Sequence, residues 1–258
     1  MNQRLTRKEI KRDEFADVMG RSFEYAESHV RTILYALGGV LALLAAAGLV
    51  YYFLARRADQ ANEALAQAMK IHQAPIEATG AKPNDPTAPS FPNEAARDAR
   101  ARELFQKVHD GYGSTDAGGV AGLYLAQYAA REGKADRARE LWSEFVDDHG
   151  DHMLAGEARL NVIALDRKQG KAEEVVTSLR GMLEQSEPPL PKDVILHELG
   201  TTLEQLKRPE EAVKMYQQIL DDFPQSPYRQ DAQQKVSALD PTRAGAPAGL
   251  PGGFSFPG

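Results

Sequence analysis

Three stretches of this chain repeat one apolar spacing at an interval of 37 residues. Ala138, Trp142 and Phe145 recur as Val175, Leu179 and Met182, and again as Ala212, Tyr216 and Ile219. Each set follows a short break, at Gly133-Lys134, Gly170-Lys171 or Lys207-Arg208-Pro209, and the register does not slip. A fixed period of this length marks a stack of supersecondary units, none of which can bury its apolar face alone. The units are helical. The composition is 42% hydrophobic but only 7% aromatic, dominated by Ala and Leu, and no run alternates with period two in Val, Ile and Thr. The expectation is an all-α array, a scaffold that presents surfaces rather than a pocket built for chemistry.

From Ile33 to Leu54 the chain runs for 22 residues without a charge, ILYALGGVLALLAAAGLVYYFL. At about 1.5 Å per residue such a helix spans the roughly 30 Å hydrocarbon core of a bilayer. Tyr35 near one end and Tyr51, Tyr52 and Phe53 at the other suit the membrane interfaces, and Arg31 and Arg56-Arg57 bracket the run. The small residues Ala45-Ala46-Ala47 could serve as a cleavage site. The apolar run continues past them, however, and follows a 32-residue head, so an uncleaved anchor fits better. The head holds seven of the chain's Lys and Arg residues and precedes a large domain, which predicts a cytoplasmic N-terminus and residues 55–258 on the far side. Within the head, Thr6 and Glu9 have capping-box spacing, and Phe15, Val18, Met19, Ala26 and Val30 form a thin apolar stripe. It reads as a helix lying against the bilayer, with partner docking as the alternative.

Charge is unevenly distributed. Residues 1–57 carry a balance of +3 and the remainder −9. An acidic soluble part repels phosphate backbones, which argues against a nucleic-acid partner. Cysteine is absent, so disulfides, thiolate zinc sites and cysteine nucleophiles are excluded.

Beyond the span, Ala61, Leu65, Ala68 and Met69 place apolar residues on one side of a helix over 58–72. The prolines Pro75, Pro83, Pro86, Pro89 and Pro92 then predict an irregular segment. Helix resumes after Asn93, a good N-cap, and Ala101, Phe105 and Val108 extend the period backward by one unit. The expected organisation is a head (1–32), a transmembrane helix (33–54), a membrane-proximal helix with a Pro-rich loop (55–92), a repeat domain (93–240) and a disordered Pro/Gly tail (241–258). The tail contains Phe254-Ser255-Phe256.

Residues 193–226 resemble the tetratricopeptide repeat, a helix-turn-helix unit. Leu196, Leu199, Gly200, Ala212, Tyr216 and Pro224 stand at its expected positions. Gly200 and Ala212 are small because paired helices cross there, and Tyr216 fills the space beside them. Residues 119–152 match more loosely, through Leu125, Ala126, Ala138 and Trp142, with Gly150 in place of Pro. Residues 156–189 match worst: Arg159 and Asp166 occupy apolar slots, which predicts a degenerate repeat whose first helix is out of register. A polar-faced helix over 227–238 would cap the array.

No catalytic, metal-binding or cofactor-binding residue is assigned. The run Asp147-Asp148-His149-Gly150-Asp151-His152 falls in an inter-repeat turn, and no metalloprotease, phosphate-loop, nucleophile-elbow or dinucleotide signature occurs. What remains is the groove of the first helices, lined by Leu123, Gln127, Leu160, Ala164, His197 and Thr201. The family's carboxylate clamp of Lys and Asn is missing there, so the resemblance implies an apolar extended or helical protein segment as ligand. Leu123 and Leu160 read equally well as core. The layout of basic head, anchor and external array resembles the ancillary SecYEG translocon subunits of the bacterial inner membrane, with the array in the periplasm. That resemblance implies translocon components, envelope chaperones or their clients as partners. The segment Phe223-Pro224-Gln225-Ser226-Pro227-Tyr228 also resembles repeat ends of outer-membrane-assembly and Tol-associated scaffolds.

Overall fold

A computed structural model describes residues 30–77 and 89–239. Residues 1–29 of the head, with Thr6 and Glu9, the prolines Pro83 and Pro86, and the tail lie outside the described residues. Two compact units divide the chain, Met1–Gln60 and Ala61–Gly258.

In the first unit the described residues form the start of α1 (Val30–His72). Its large apolar side chains are exposed around the helix, from Leu34, Leu37 and Leu41 on to Val50, Phe53 and Leu54. A helix apolar on every face needs an apolar surrounding. This one is long and apolar enough to cross a membrane. Where the apolar run ends, the Arg56 guanidinium lies 5.6 Å from the Tyr52 ring centroid, a pairing suited to an interface.

The second unit is a helical array: the last turns of α1, then α2 (Glu94–Tyr112), α3 (Asp116–Arg131), α4 (Ala135–Asp148), α5 (Ala155–Lys168), α6 (Ala172–Leu183), α7 (Lys192–Gln205), α8 (Pro209–Asp222) and α9 (Arg229–Leu239). No strand occurs among the described residues. A single parallel bridge between Ile76 and Phe91 pins the two ends of the Pro-rich segment. Asn93 caps α2 by accepting from the Ala96 amide at 2.9 Å, and Pro209 opens α8 where its missing N–H is not needed.

The sequence period reappears as a turn. Gly133, Gly170 and Lys207, each 37 residues from the next, adopt φ of +74°, +83° and +59° between paired helices. The following amides close onto the preceding helices: Lys134 to the Ala129 carbonyl at 2.8 Å, Lys171 to Asp166 and Arg208 to Leu203 at 2.9 Å. This is the left-handed helix stop that satisfies terminal carbonyls.

Helix pairs α3–α4 and α7–α8 cross at small residues. A Cβ on Gly200 would sit 2.7 Å from two atoms of the Tyr216 ring, and Ala126, Ala138 and Ala212 are fully buried. Leu125, Trp142, Leu199 and Tyr216 complete the packing, whereas Pro224 is exposed in the turn that ends α8. The Tyr216 ring cannot retreat. It is fully buried, and its hydroxyl donates to Glu204 Oε1 at 2.5 Å and lies 3.3 Å from Thr201 Oγ1. Burial, reinforced by the Glu204 carboxylate, holds that phenol above its ordinary pKa.

At the other end of the array His72, Phe105, Tyr124 and Tyr128 form an aromatic knot, with Phe105 and Tyr124 stacked at 4.5 Å. Burial pushes the Tyr128 phenol up to about 12 and the His72 imidazole down. Tyr128 therefore stays protonated, and its hydroxyl shares a hydrogen bond with His72 Nδ1 at 2.7 Å.

Helix α9 closes the array through Ala232 and Val236 and through His197 of α7. His197 Nε2 lies 2.9 Å from Asp231 Oδ2, its ring stacks on Tyr228 at 4.3 Å and meets the edge of Tyr216, and Nδ1 is 3.7 Å from Glu198 Oε1. Glu198 in turn receives Arg167 Nη1 at 2.8 Å. Burial opposes the charged imidazole, but the Glu198 and Asp231 carboxylates outweigh it and raise the His197 pKa.

Three outcomes follow from this packing. Gly200→Ala gains about 1 kcal/mol of helix propensity but forces a clash with a pinned ring, and overpacking of this kind costs about 1–3 kcal/mol. Thermal melting should show a lower Tm; an unchanged or higher Tm would mean that Tyr216 can move. Lys207→Gly should raise stability by about 1 kcal/mol, because it removes a non-glycine residue from the left-handed region; a denaturant midpoint that falls instead would contradict the strain. The raised His197 pKa stabilises α9 docking fully below the unfolded imidazole value of about 6.5 and loses that contribution as pH rises through the folded value. Hydrogen exchange, corrected for intrinsic rate, should therefore protect Ala232–Val236 more at acidic than at alkaline pH. His197→Gln should erase the difference, and equal protection in the parent chain would refute the linkage.

Candidate functional site

The expected groove residues have three different surroundings. Leu123 and Gln127 of α3 face α5 and line a depression of about 170 Å³ with Val120, Tyr124, Trp142 and Asn161. Leu160 is half-buried against the core shared by α6 to α9, and Ala164 is half-buried beside it in sequence. His197 and Thr201 are committed to the α8 and α9 contacts described above. The groove is therefore open at α3–α5 and occupied by the chain itself at α7–α9.

The Asp/His turn is also engaged internally. His149 Nδ1 lies 3.2 Å from Asp116 Oδ1 and Nε2 lies 3.2 Å from the Gly113 carbonyl, while His152 Nδ1 accepts from the Leu154 amide at 3.1 Å. Both rings pack on Phe145. His149 accounts for Gly119 in α3, where a Cβ would meet its ring at 2.6 Å, and the Tyr112 carbonyl accounts for Gly118, where a Cβ would overlap it. Among the described residues no group of three His, Cys, Asp or Glu side chains is arranged to hold a metal ion.

The middle unit, α5–α6, departs from its neighbours. The expectation that α5 is out of register is not met: Gly170 takes its place in the periodic turn and Ile163 is buried. The charges in apolar slots are accommodated individually. Asp166 is buried, and Arg139 of α4 grips it with both ends of its guanidinium, Nε to Oδ1 at 2.6 Å and Nη2 to Oδ2 at 3.0 Å. Lys171 approaches at 3.5 Å. Burial alone would raise the Asp166 pKa, but the cations of Arg139 and Lys171 overcome it and hold the carboxyl below its usual range. Arg159 is half-buried next to Gly150 and takes no carboxylate partner among the described residues.

The larger change lies in the crossing positions. Where α3 and α7 have Ala126 and Gly200, α5 has Ile163; where α4 and α8 have Ala138 and Ala212, α6 has Val175. The aromatic slot of Trp142 and Tyr216 holds the smaller Leu179. Two branched side chains at the point of closest approach keep α5 and α6 apart, and their backbones make far less close contact than those of α3–α4 or α7–α8. The buried core divides here as well: Ala155 and Ala158 at the start of α5 join one cluster and Ile163 the other. A cleft of about 320 Å³ opens over α5, between α4 and α6, with Val146, Val162, Ile163, Val175 and Met182 as its apolar surface. Arg159 and Asp166 both line this cleft. The wedge residues Ile163 and Val175 were missed, although the 37-residue columns containing them show the exchange of small for branched side chains.

Comparison with known proteins supplies a family. No curated protein matches the chain in sequence. Among solved structures, two crystal structures of nearly identical TPR-like repeats, from a Podosopora anserina putative kinesin light chain, are similar to it; the second is a point variant of the first. Each is 16% identical with a TM-score of 0.44; they cover 58% of this chain and 81% and 80% of their own. The model of the tetratricopeptide repeat-like domain matches residues 29–241, which takes in α1 and every helix of the array. The chain belongs to the tetratricopeptide repeat-like domain family.

Proposed function

We propose that this chain is a non-catalytic, membrane-tethered adaptor whose repeat array holds protein segments close to a bilayer. A tetratricopeptide repeat-like fold is suited to protein–protein interaction, and the open α3–α5 depression around Leu123 and Gln127 offers an apolar surface for it. The observation that carries the tether is the uninterrupted exposure of large apolar side chains from Leu34 to Leu54. Exposed to water this surface would cost about 25 cal/mol for every Å²; in hydrocarbon the cost vanishes. The family match begins at residue 29, so the apolar stretch falls within the family's domain and not ahead of it. Tethering raises the effective concentration of the array at the membrane, so that weak segment contacts suffice.

On this reading the basic head lies in the cytoplasm of a bacterial cell and residues 55–258 in the periplasm, beside the translocon. The partners are translocon components, envelope chaperones or the secreted proteins they handle. Photocrosslinkers at Leu123 and Gln127 of the full chain, activated in intact membranes, should give adducts with such proteins. Leu123→Glu should reduce the adducts formed through Gln127 several-fold. Recovery of neither translocon nor envelope proteins would overturn the assignment, and digestion of the array by protease added to sealed inner-membrane vesicles of cytoplasm-out orientation would overturn the topology.

A further inference from the structure

We propose that the α4–α5–α6 cleft docks a basic amphipathic helical segment of a partner protein, on a face distinct from the groove at Leu123 and Gln127. The inference rests on the adaptor reading and assigns a second contact surface to it.

The cleft follows from the sequence of the middle unit. Both crossing positions of that unit, and of no other full repeat, carry branched residues, and the resulting gap exposes part of an aliphatic surface. A void of this size left in water forfeits packing that the neighbouring pairs retain. An aliphatic ridge from a partner helix would restore that packing.

Charge specifies the flanks of the partner. Asp147 of α4 and Glu174 of α6 line the cleft, and Asp136, Glu140, Glu144 and Asp148 of α4 line an adjoining surface that shares Asp147 with it. Several are already used: Glu140 pairs with Arg137, Glu144 lies 3.7 Å from His109, and Asp136 accepts from Gln169. Asp147, Asp148 and Glu174 make no ion pair among the described residues. Of the nearby cations, Arg139 and Lys171 are turned onto Asp166, and Arg159 also lines the cleft. An apolar floor bordered by unpaired carboxylates selects a segment with aliphatic residues at i, i+3 and i+4 and Lys or Arg on its flanks. The same border repels nucleic acid and anionic lipid surfaces.

The test uses the full chain in zwitterionic phosphatidylcholine nanodiscs, with empty nanodiscs as the blank. The probe is a fluorescein-labelled amphipathic Leu/Lys peptide, and its Leu/Glu counterpart is the control. Anisotropy should show saturable binding of the Leu/Lys peptide that weakens as salt rises, and no binding of the Leu/Glu peptide. The surface variant Asp147→Lys/Glu174→Lys and the uncharged filling variant Ser178→Trp should each raise Kd at least tenfold while thermal melting shows the array still folded. Absence of binding, equal binding of both peptides, or a Kd unmoved by both variants would overturn the proposal. If Leu123→Glu alone abolished binding, the cleft assignment would fall and the adaptor reading would stand. Membrane crosslinking that found no envelope partner would remove the adaptor reading without touching the peptide result.

Discussion

The close approach of paired helices at one small residue governs this array. Gly200 lets α7 come within contact of the Tyr216 ring, and once that distance is set, the hydroxyl of Tyr216 meets Glu204 and the α7–α8 pair acquires one arrangement. Ala126 and Ala138 do the same work for α3 and α4 around Trp142. The left-handed turn at Gly133, Gly170 and Lys207 delivers each second helix at the angle this crossing needs. Periodicity in the sequence is thus the trace of a repeated steric condition, and where the condition is relaxed, the packing changes.

It is relaxed once, at Ile163 and Val175. A branched pair at the crossing does not abolish the unit, because the turn at Gly170 and the apolar contacts of Val176, Leu179 and Ile195 persist. It separates two helices that elsewhere touch. The ion pair between Asp166 and Arg139 belongs to the same relaxation. A carboxylate in a tight crossing would lack room for a guanidinium, whereas in the opened unit Arg139 reaches it from the preceding repeat. Such a pair adds little net stability over an apolar residue of similar volume, since desolvation offsets most of the attraction. Its effect is on specificity: with Arg139 removed, Asp166 would be left buried with only Lys171 nearby, so α4 and α5 are held in one register.

Much of this was legible in the sequence because it depends on local or strictly periodic features. The Asn93 cap, the break at Pro209, the small residues at 126, 138, 200 and 212, and the helical capping segment are read from neighbours or from residues 37 positions away. Other features depend on partners that no period reveals. Asp166 looked like a fault in α5 because its counter-ion lies 27 residues upstream on another helix, outside the repeat being scored. His197 and Thr201 occupy groove positions by register, yet α9 packs over His197 and Tyr216 takes Thr201, so that end of the groove is used by the chain itself. The open section at Leu123 and Gln127 differs only because α5 leaves a depression beside α3 there.

The two apolar surfaces of the protein answer to different rules. Along the first part of α1, large side chains lie on all sides with no polar stripe, which a soluble packing partner could cover only by surrounding the helix. In the α4–α5–α6 cleft the apolar surface is narrow and ends at carboxylates on both flanks, a pattern that a bilayer cannot satisfy but a single amphipathic helix can. Lateral geometry therefore separates the two: an unbounded apolar surface calls for a solvent, and a bounded one for a partner. The sequence supplies both halves of the bounded pattern, branched residues at the α5–α6 crossing to open the gap, and Asp147 of α4 and Glu174 of α6 to border it. A random packing defect would supply the first without the second.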